Sequence, residues 1–148
     1  MPALTPVECR AFALSIARPA ILGTVRADGR PHIAPVWIDI QPGDGVDQPD
    51  TILFNTGANT VKGRNLARDP RVTLSVDDDK SPFTYVVADG VAQLSDDLTD
   101  VREWATRIGG RYLGRERAEA MGARNGVPGE LLVRVRVTRW FGYAGVSD

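Results

Sequence analysis

Two apolar stretches separated by four residues constrain the fold of this chain most strongly. The stretches AILGTVR and PHIAPVWIDI flank the residues ADGR, in which Asp28-Gly29 favours the backbone dihedral angles of a tight turn. A hairpin of two antiparallel strands is therefore predicted. Because Pro31 and Pro35 cannot donate hydrogen bonds to a neighbouring strand, we expect the second strand at a sheet edge or at a bulge, with part of its backbone free.

The remaining secondary structure follows from capping and periodicity. The residues TPVE form a capping box with Thr5 as N-cap, which begins a helix that runs to about Ala17. A second helix is predicted from the apolar spacing of Leu98, Val101, Trp104, Ala105, Ile108 and Tyr112. The polar segment GRERAEAMGARNGVPG is expected to be a helix or a loop.

Further strands are expected in TILFNT, RVTLSVDDD, FTYVVADGVAQL and ELLVRVRVTRWFGYAG, with a bulge or a turn at Asp89-Gly90. About six strands, mostly antiparallel, with helices at the start, middle and end predict a β-barrel with helical additions. The fold class is thus mainly β with helices (α+β). We expect one domain over residues 1–148.

The composition excludes several classes of function. The net charge of -1 at pH 7 gives no general positive field that would gather nucleic acid or an anionic membrane surface. The sequence shows neither a leader pattern nor a membrane-spanning apolar run, and its single cysteine, Cys9, cannot form an internal disulfide. A cytoplasmic protein without membrane or nucleic-acid partners is predicted. One histidine, His32, and one cysteine cannot supply the usual zinc ligands, so no metal site is predicted.

The segment NTGANTVKGRNLARDPRV, residues 55 to 72, is the strongest candidate for a binding site. A short helix is expected to start near Asn59 or Thr60 and to end before Pro70. The free N–H groups of its first turn and its dipole would attract a phosphate group. The candidate contacts are the hydroxyls of Thr56 and Thr60, the charges of Lys62 and Arg64, the amide of Asn65, and close backbone approach at Gly57 and Gly63. In the alternative, these polar residues only cap the helix and its basic residues form a solvated face; the local pattern leaves both open.

Three segments together resemble a known family. The order ILGTVRADGRPHIAPVW, ILFNTGANTVKGRNLARDPRVTLSV and YVVADGVAQL is similar to the split β-barrel, FMN-binding-like family related to pyridoxamine 5'-phosphate oxidase. More narrowly, it resembles the branch that uses the deazaflavin coenzyme F420 in place of FMN. The most specific part of the resemblance is the segment from Lys62 to Val72.

The resemblance implies a homodimer with the cofactor in a groove at the subunit interface. The cofactor's phosphate would be held by the short helix, and its ring would lie along the second strand, while residues 74–76 add main-chain contacts. The implied cofactor-binding residues are Pro35, Val36, Trp37, Thr56, Asn59, Thr60, Lys62, Arg64 and Asn65. F420 carries a lactyl and oligoglutamate tail that FMN lacks, and Arg64, Arg68 and Arg71 are available to meet its added charge.

The resemblance also implies an oxidoreductase that transfers a hydride between F420 and an unsaturated or quinone-like small molecule. No residue is assigned a catalytic role, because the cofactor supplies the reactive atom and His32 is expected to be an exposed hairpin residue. Two alternatives stay open: an FMN-dependent enzyme like pyridoxamine phosphate oxidase, and a non-catalytic protein that binds F420, FMN or haem. Cys9 and Tyr112 are expected to pack, and Trp140 either packs in the core or lines the groove of the other subunit.

Overall fold

The computed structural model describes residues 2–45 and 47–148, which form four helices and seven strands. The helices are α1 (Pro6–Ser15), α2 (Val61–Arg68), α3 (Leu98–Leu113) and α4 (Arg115–Asn125). The strands are β1 (Ala20–Val25), β2 (Pro31–Val36), β3 (Asp39–Gln41), β4 (Thr51–Gly57), β5 (Arg71–Asp77), β6 (Tyr85–Ser95) and β7 (Glu130–Tyr143). They form a sheet in the order β2-β1-β5-β6-β7-β4-β3, in which every neighbouring pair is antiparallel.

The sheet curls into a half-barrel because β2 and β3, which are consecutive in the chain, lie at its opposite edges. Only Trp37 and Ile38 connect them, so the two edges must come close together. The predicted antiparallel, barrel-like α+β fold and the edge position of the second strand are therefore confirmed. The predicted number of six strands is wrong, because PHIAPVWIDI forms two strands where one was expected.

Two apolar clusters lie on opposite faces of the strands β4 and β7. Phe54 and Val133 point into the half-barrel and belong to its main core, together with residues such as Leu22 and Leu74. Their chain neighbours Leu53 and Leu132 point the other way and pack beneath Val101 and Trp104 of α3. Successive side chains of a strand face opposite sides, so a pair of adjacent fully buried residues marks a stretch that is covered on both faces.

Helix α3 confirms the predicted apolar face, since Val101, Trp104, Ala105 and Ile108 are all buried. The polar segment after it forms helix α4, which packs closely on α3 at glycine positions. A Cβ atom on Gly109 would lie 2.6 Å from Met121 Cβ, and one on Gly110 would lie 3.1 Å from Ala118 Cβ. Across the part of the chain that the structure describes, no helix has the length and apolar character needed to cross a membrane.

The capping box of α1 is confirmed by reciprocal hydrogen bonds: the Glu8 N–H donates to Thr5 Oγ1 at 3.2 Å, and the Thr5 N–H donates to Glu8 Oε1 at 2.9 Å. The helix ends at Ser15 instead of near Ala17 because the backbone is already extended at Ile16. Of the two alternatives at Asp89-Gly90, the bulge is correct: the register between β6 and β7 shifts there while both strands continue.

Candidate functional site

A groove of about 420 Å³ opens where β2 ends and the chain crosses to β3. Four of the predicted site residues, Pro35, Val36, Trp37 and Lys62, line this groove. They come from the end of β2, the crossover and the first turn of α2, and the strands β3 and β4 lie between the crossover and α2 in the chain. The fold therefore brings the predicted ring-facing segment and the predicted phosphate-binding lysine into one concave surface.

Trp37 is held in place by Tyr112 of α3. The two rings stack with centroids 4.8 Å apart and planes inclined by 3°. The Tyr112 hydroxyl donates to the carbonyl of Arg18 at 2.7 Å and accepts from the N–H of Ile38 at 3.1 Å. Tyr112 thus fixes both the indole ring and the backbone next to it, while 38% of Trp37 stays exposed on the groove side. The prediction that Tyr112 packs is confirmed, and the sequence did not predict its two hydrogen bonds.

Arg111, the neighbour of Tyr112 in α3, also binds the crossover between β2 and β3. Its guanidinium donates to the carbonyl oxygens of Ala13 at 3.1 Å, Ile16 at 3.2 Å and Ile38. These acceptors are the otherwise free carbonyls at the end of α1 and the carbonyl of the crossover residue. One side chain therefore joins α1, α3 and the β2–β3 connection by charge-assisted hydrogen bonds.

The first turn of α2 is capped by its own threonines. Thr60 is the N-cap: its Oγ1 accepts from the N–H of Gly63 at 3.1 Å and donates to the carbonyl of Gly57 at 2.7 Å. The Thr56 hydroxyl lies 3.1 Å from Thr60 Oγ1, and the Thr60 proton is engaged with Gly57, so Thr56 is the donor of this pair. The predicted donation of these hydroxyls to a phosphate stays a prediction; in the structure both protons are used inside the chain.

Lys62 differs from the threonines because its ammonium group forms no ion pair or hydrogen bond with any described residue. The N–H groups of Val61 and Lys62, in the first turn of the helix, also have no acceptor in residues 2–45 and 47–148. A positively charged residue that lines the groove and two free N–H groups therefore belong to the same helical turn. This combination suits an anionic group such as a phosphate.

Asn65 of α2 is buried, with 4% of the residue exposed. Its Nδ2 donates to Thr24 Oγ1 of β1 at 3.0 Å, and its Oδ1 accepts from Arg68 at 3.1 Å. Arg68 also donates to the carbonyl of Val25 at 2.8 Å. In this structure Asn65 attaches α2 to β1 and is not among the residues that line the groove, so its predicted contact with the cofactor stays a prediction.

Gly63 is required for the contact between α2 and β4. A Cβ atom at this position would overlap the carbonyl oxygen of Gly57 and lie 3.1 Å from the carbonyl oxygen of Ala58. The space that the missing side chain leaves is therefore filled by backbone, whereas the sequence suggested a ligand. The other two predicted site residues, Asn59 and Arg64, are exposed and do not line the groove.

The family is decided by comparison with known proteins. The family model described as pyridoxamine 5'-phosphate oxidase matches residues 6–144. The chain belongs to this family. Among solved structures, a conserved hypothetical protein of Mycobacterium tuberculosis is 25% identical, with a TM-score of 0.78 over 96% of this chain and 86% of that one.

Two further structures share the fold of this pyridoxamine 5'-phosphate oxidase family member. An F420 reductase has a TM-score of 0.67 at 22% identity, covering 88% of this chain and 94% of that one. An FAD-binding protein from Mesorhizobium loti has a TM-score of 0.68 at 15% identity, covering 95% of this chain and 93% of that one. These names belong to the relatives, and the similarity to them shows the shared fold.

Four residues of the groove were not found by sequence reasoning: Pro19, Asn55, Ile108 and Asn125. Ile108 was recognised only as part of an apolar helix face, and its role at the groove depends on where α3 lies. Asn125 is the last residue of α4 and carries no local signal. Asn55 begins the segment that was singled out, but it lies in β4 and not on the helix.

The structure of this family member also shows the environments of three other residues for which expectations came from the sequence. His32 is half-buried instead of exposed, and its Nδ1 has no hydrogen-bond partner among the described residues; it does not line the groove. Trp140 packs against the core and donates from Nε1 to Asp50 Oδ2 at 2.9 Å, which favours the packing alternative. Cys9 is fully buried as predicted, and burial raises the pKa of its thiol, as does the nearby charge of Glu8.

Proposed function

We propose that this protein is an F420-dependent oxidoreductase that reduces an unsaturated or quinone-like small molecule. The observation that carries the proposal is the Lys62 ammonium, which has no partner in the described chain and lines a groove beside Trp37. Because this charge is unpaired within the described chain and borders a concave surface, it is available to an anionic ligand. The similarity to an F420 reductase supports the choice of cofactor.

The residues present fit a cofactor with a phosphate and a planar ring. Lys62 and the free N–H groups of α2 would hold the phosphate, and Pro35, Val36 and Trp37 would face the ring. When bound, F420 supplies a hydride donor with two electrons. The protein's own residues would position the ring. The proton that completes the reduction would come from solvent, because Lys62 is assigned to the phosphate and no other side chain that could donate it, His32 included, lines the groove among the described residues.

The three arginines in and after α2 differ in whether their side chains are free to bind the tail of F420. Arg71 is paired with Asp69, with 2.7 Å between Nη2 and Oδ2, and Arg68 is bonded to Val25 and Asn65. Arg64 is exposed and has no partner among the described residues. Of the three, Arg64 is therefore the side chain that is free to meet the carboxylates of a glutamate tail.

We further propose that two copies of the chain associate through the outer face of the sheet. The strand register places Pro35, Ile21, Ser75, Val87 and Phe141 side by side across five strands, which gives a largely apolar stripe. Ile21 is 40% exposed, and Ile33 next to the stripe is 66% exposed. Exposed apolar surface of this kind favours association. Because Pro35 belongs to both the stripe and the groove, a second copy on this face would border the cofactor.

The proposal is tested by titrating F420 and FMN separately into the purified protein. We expect F420 to bind more tightly than FMN, and we expect reduced F420 to be consumed when an enone or a quinone is added. Binding without consumption would instead favour the non-catalytic alternative. Tighter binding of FMN, or a yellow protein as purified, would favour the flavin-dependent alternative, which the similarity to an FAD-binding protein also supports.

A further inference from the structure

Four lining residues of the groove are not used by the proposed cofactor contacts: Pro19, Asn55, Ile108 and Asn125. None of them is charged. Among the described residues that line the groove, Lys62 carries the one formal charge, and the proposed cofactor phosphate would neutralise it. The remaining surface is therefore apolar apart from two side-chain amides.

Asn125 is held firmly at this surface by its neighbours. It is the last residue of α4, and Gly122 and Gly126 on either side of it press against α3. A Cβ atom on Gly122 would overlap Thr106 Oγ1, and one on Gly126 would lie 2.7 Å from Arg102 Cβ. Neither glycine leaves room for the backbone of Asn125 to approach α3 more closely, so the position of that backbone is fixed by close packing.

The amide of Asn125 has no hydrogen-bond partner in residues 2–45 and 47–148, although the residue is half-buried. The second amide of the groove, Asn55, is only weakly engaged, because its Nδ2 lies 3.5 Å from the carbonyl of Leu131. A carboxamide offers two N–H donors, and it binds a carbonyl oxygen without any change of charge. Both amides are thus available to a ligand that brings a hydrogen-bond acceptor.

We infer that Asn125 is a substrate-binding residue and that the substrate is an uncharged, planar, conjugated carbonyl compound. Its oxygen accepts a hydrogen bond from Asn125, and its flat apolar body lies against Ile108 and Pro19, which the proposed cofactor contacts leave free. A phosphate or carboxylate on the substrate is disfavoured because no further positive charge lines the groove in the described chain, and desolvating an unpaired anion is costly. The inference rests on the proposed function, since it takes Lys62 to be occupied by the cofactor.

The test measures binding of menadione, an uncharged naphthoquinone, to the protein by isothermal titration calorimetry, with and without F420. A naphthoquinone sulfonate of the same ring system serves as the anionic comparison. We expect menadione to bind at least tenfold more tightly than the sulfonate. Asn125→Ala should weaken menadione binding by about two- to tenfold, the usual range for loss of one hydrogen bond. Asn125→Asp, which keeps the shape but removes the donors, should weaken it at least as much.

Arg124→Ala is the matched control, because Arg124 is exposed, adjacent to Asn125 and absent from the lining of the groove. It should bind menadione as the unmodified protein does, and thermal unfolding should show that all three variants are folded. Menadione binding that is equal in Asn125→Ala and the control, sulfonate binding as tight as that of menadione, or no menadione binding at all would overturn the inference.

Failure of this inference can be distinguished from failure of the proposed function. If F420 binds and Asn125 has no effect on menadione, the cofactor proposal stands and the substrate inference is wrong. If F420 does not bind, the cofactor proposal is wrong, and the substrate inference falls with it because Lys62 would then be free to attract an anionic ligand. Asn125→Ala should in addition leave the affinity for F420 within about twofold of the unmodified value, since the cofactor contacts lie elsewhere.

Discussion

Trp37 and Tyr112 stack with their ring planes inclined by 3°, although 75 positions separate them in the chain. This contact joins the crossover between the two sheet edges to the end of α3. The groove wall therefore depends on a helix that was predicted only as an apolar packing element. It also means that the stability of the fold and the shape of the site are coupled at one residue.

Tyr112→Phe should destabilise the protein. The ring and its stacking are kept, but the hydroxyl's bonds to Arg18 and Ile38 are lost, and the N–H of Ile38 is left without that acceptor. We expect the free energy of unfolding, measured by urea denaturation, to fall by about 1–3 kcal/mol. Tyr143→Phe is the control, because the Tyr143 hydroxyl has no partner in the described chain. Equal stability of the two variants would contradict the role given to the Tyr112 hydroxyl.

Asn65→Ala should lower the free energy of unfolding by about 1–3 kcal/mol, because Thr24 would lose its donor in a buried site. Asn59→Ala removes an exposed amide from the same segment and should change stability by less than about 0.5 kcal/mol. Urea denaturation of both variants measures the difference. A large loss of F420 affinity in Asn65→Ala without a loss of stability would show that Asn65 acts on the cofactor and does not act as a structural link.

The ion pair between Asp100 and Arg134 should make stability depend on acid pH. The two side chains are joined by two contacts of 2.6 Å, and the hydrogen bonds from Arg134 hold the pKa of Asp100 below its ordinary value of 3.8. The pair's stabilisation is therefore fully present above pH 3.8 and is lost as the pH falls through the lower pKa of the folded state.

Asp100→Asn should accordingly cost about 1 kcal/mol at neutral pH and progressively less at acid pH. Denaturation curves at several pH values measure this difference. Asp79→Asn is the control, since Asp79 is exposed and forms no ion pair with any described residue, so its replacement should change stability little. A pH-independent difference between Asp100→Asn and the unmodified protein would show that the pair does not titrate as described.

The outer face of the sheet should control association. Ile21→Lys places a charge within the apolar stripe and should shift a dimer to a monomer in light scattering coupled to size-exclusion chromatography. Val127→Lys is matched in exposure, at 41% against 40% for Ile21, but lies in the loop before β7 and should leave the dimer intact. A dimer that persists in Ile21→Lys would mean that another surface is used.

Local signals in the sequence predicted much of the fold. The turn at Asp28-Gly29, the capping box at Thr5 and the apolar spacing of α3 each depend on residues close together in the chain, and each is confirmed. The break at Trp37 and Ile38 was missed because the apolar pattern continues through it. What divides the segment is the curling of the whole sheet, which no local pattern encodes.

The site was predicted less completely, for the same physical reason. Lys62 and the Pro35–Trp37 segment could be named from sequence and do meet in one groove. Asn125 could not be named, because it reaches the groove only through the packing of α4 on α3. Conversely, a polar residue of a short helix can face either the ligand or the sheet, and the sequence alone did not show that Asn65 faces β1.

The most direct test of the account is the affinity for F420 of the unmodified protein, Lys62→Ala and Lys80→Ala, measured by fluorescence titration. Lys80, the other lysine of the chain, is exposed and lies outside the groove, so it is the matched control. We predict that Lys62→Ala weakens binding by about 1.5 to 3 kcal/mol, as expected for a charge-assisted hydrogen bond, while Lys80→Ala binds as the unmodified protein does. Equal affinity of all three proteins, or no binding of F420 to any of them, would contradict the account.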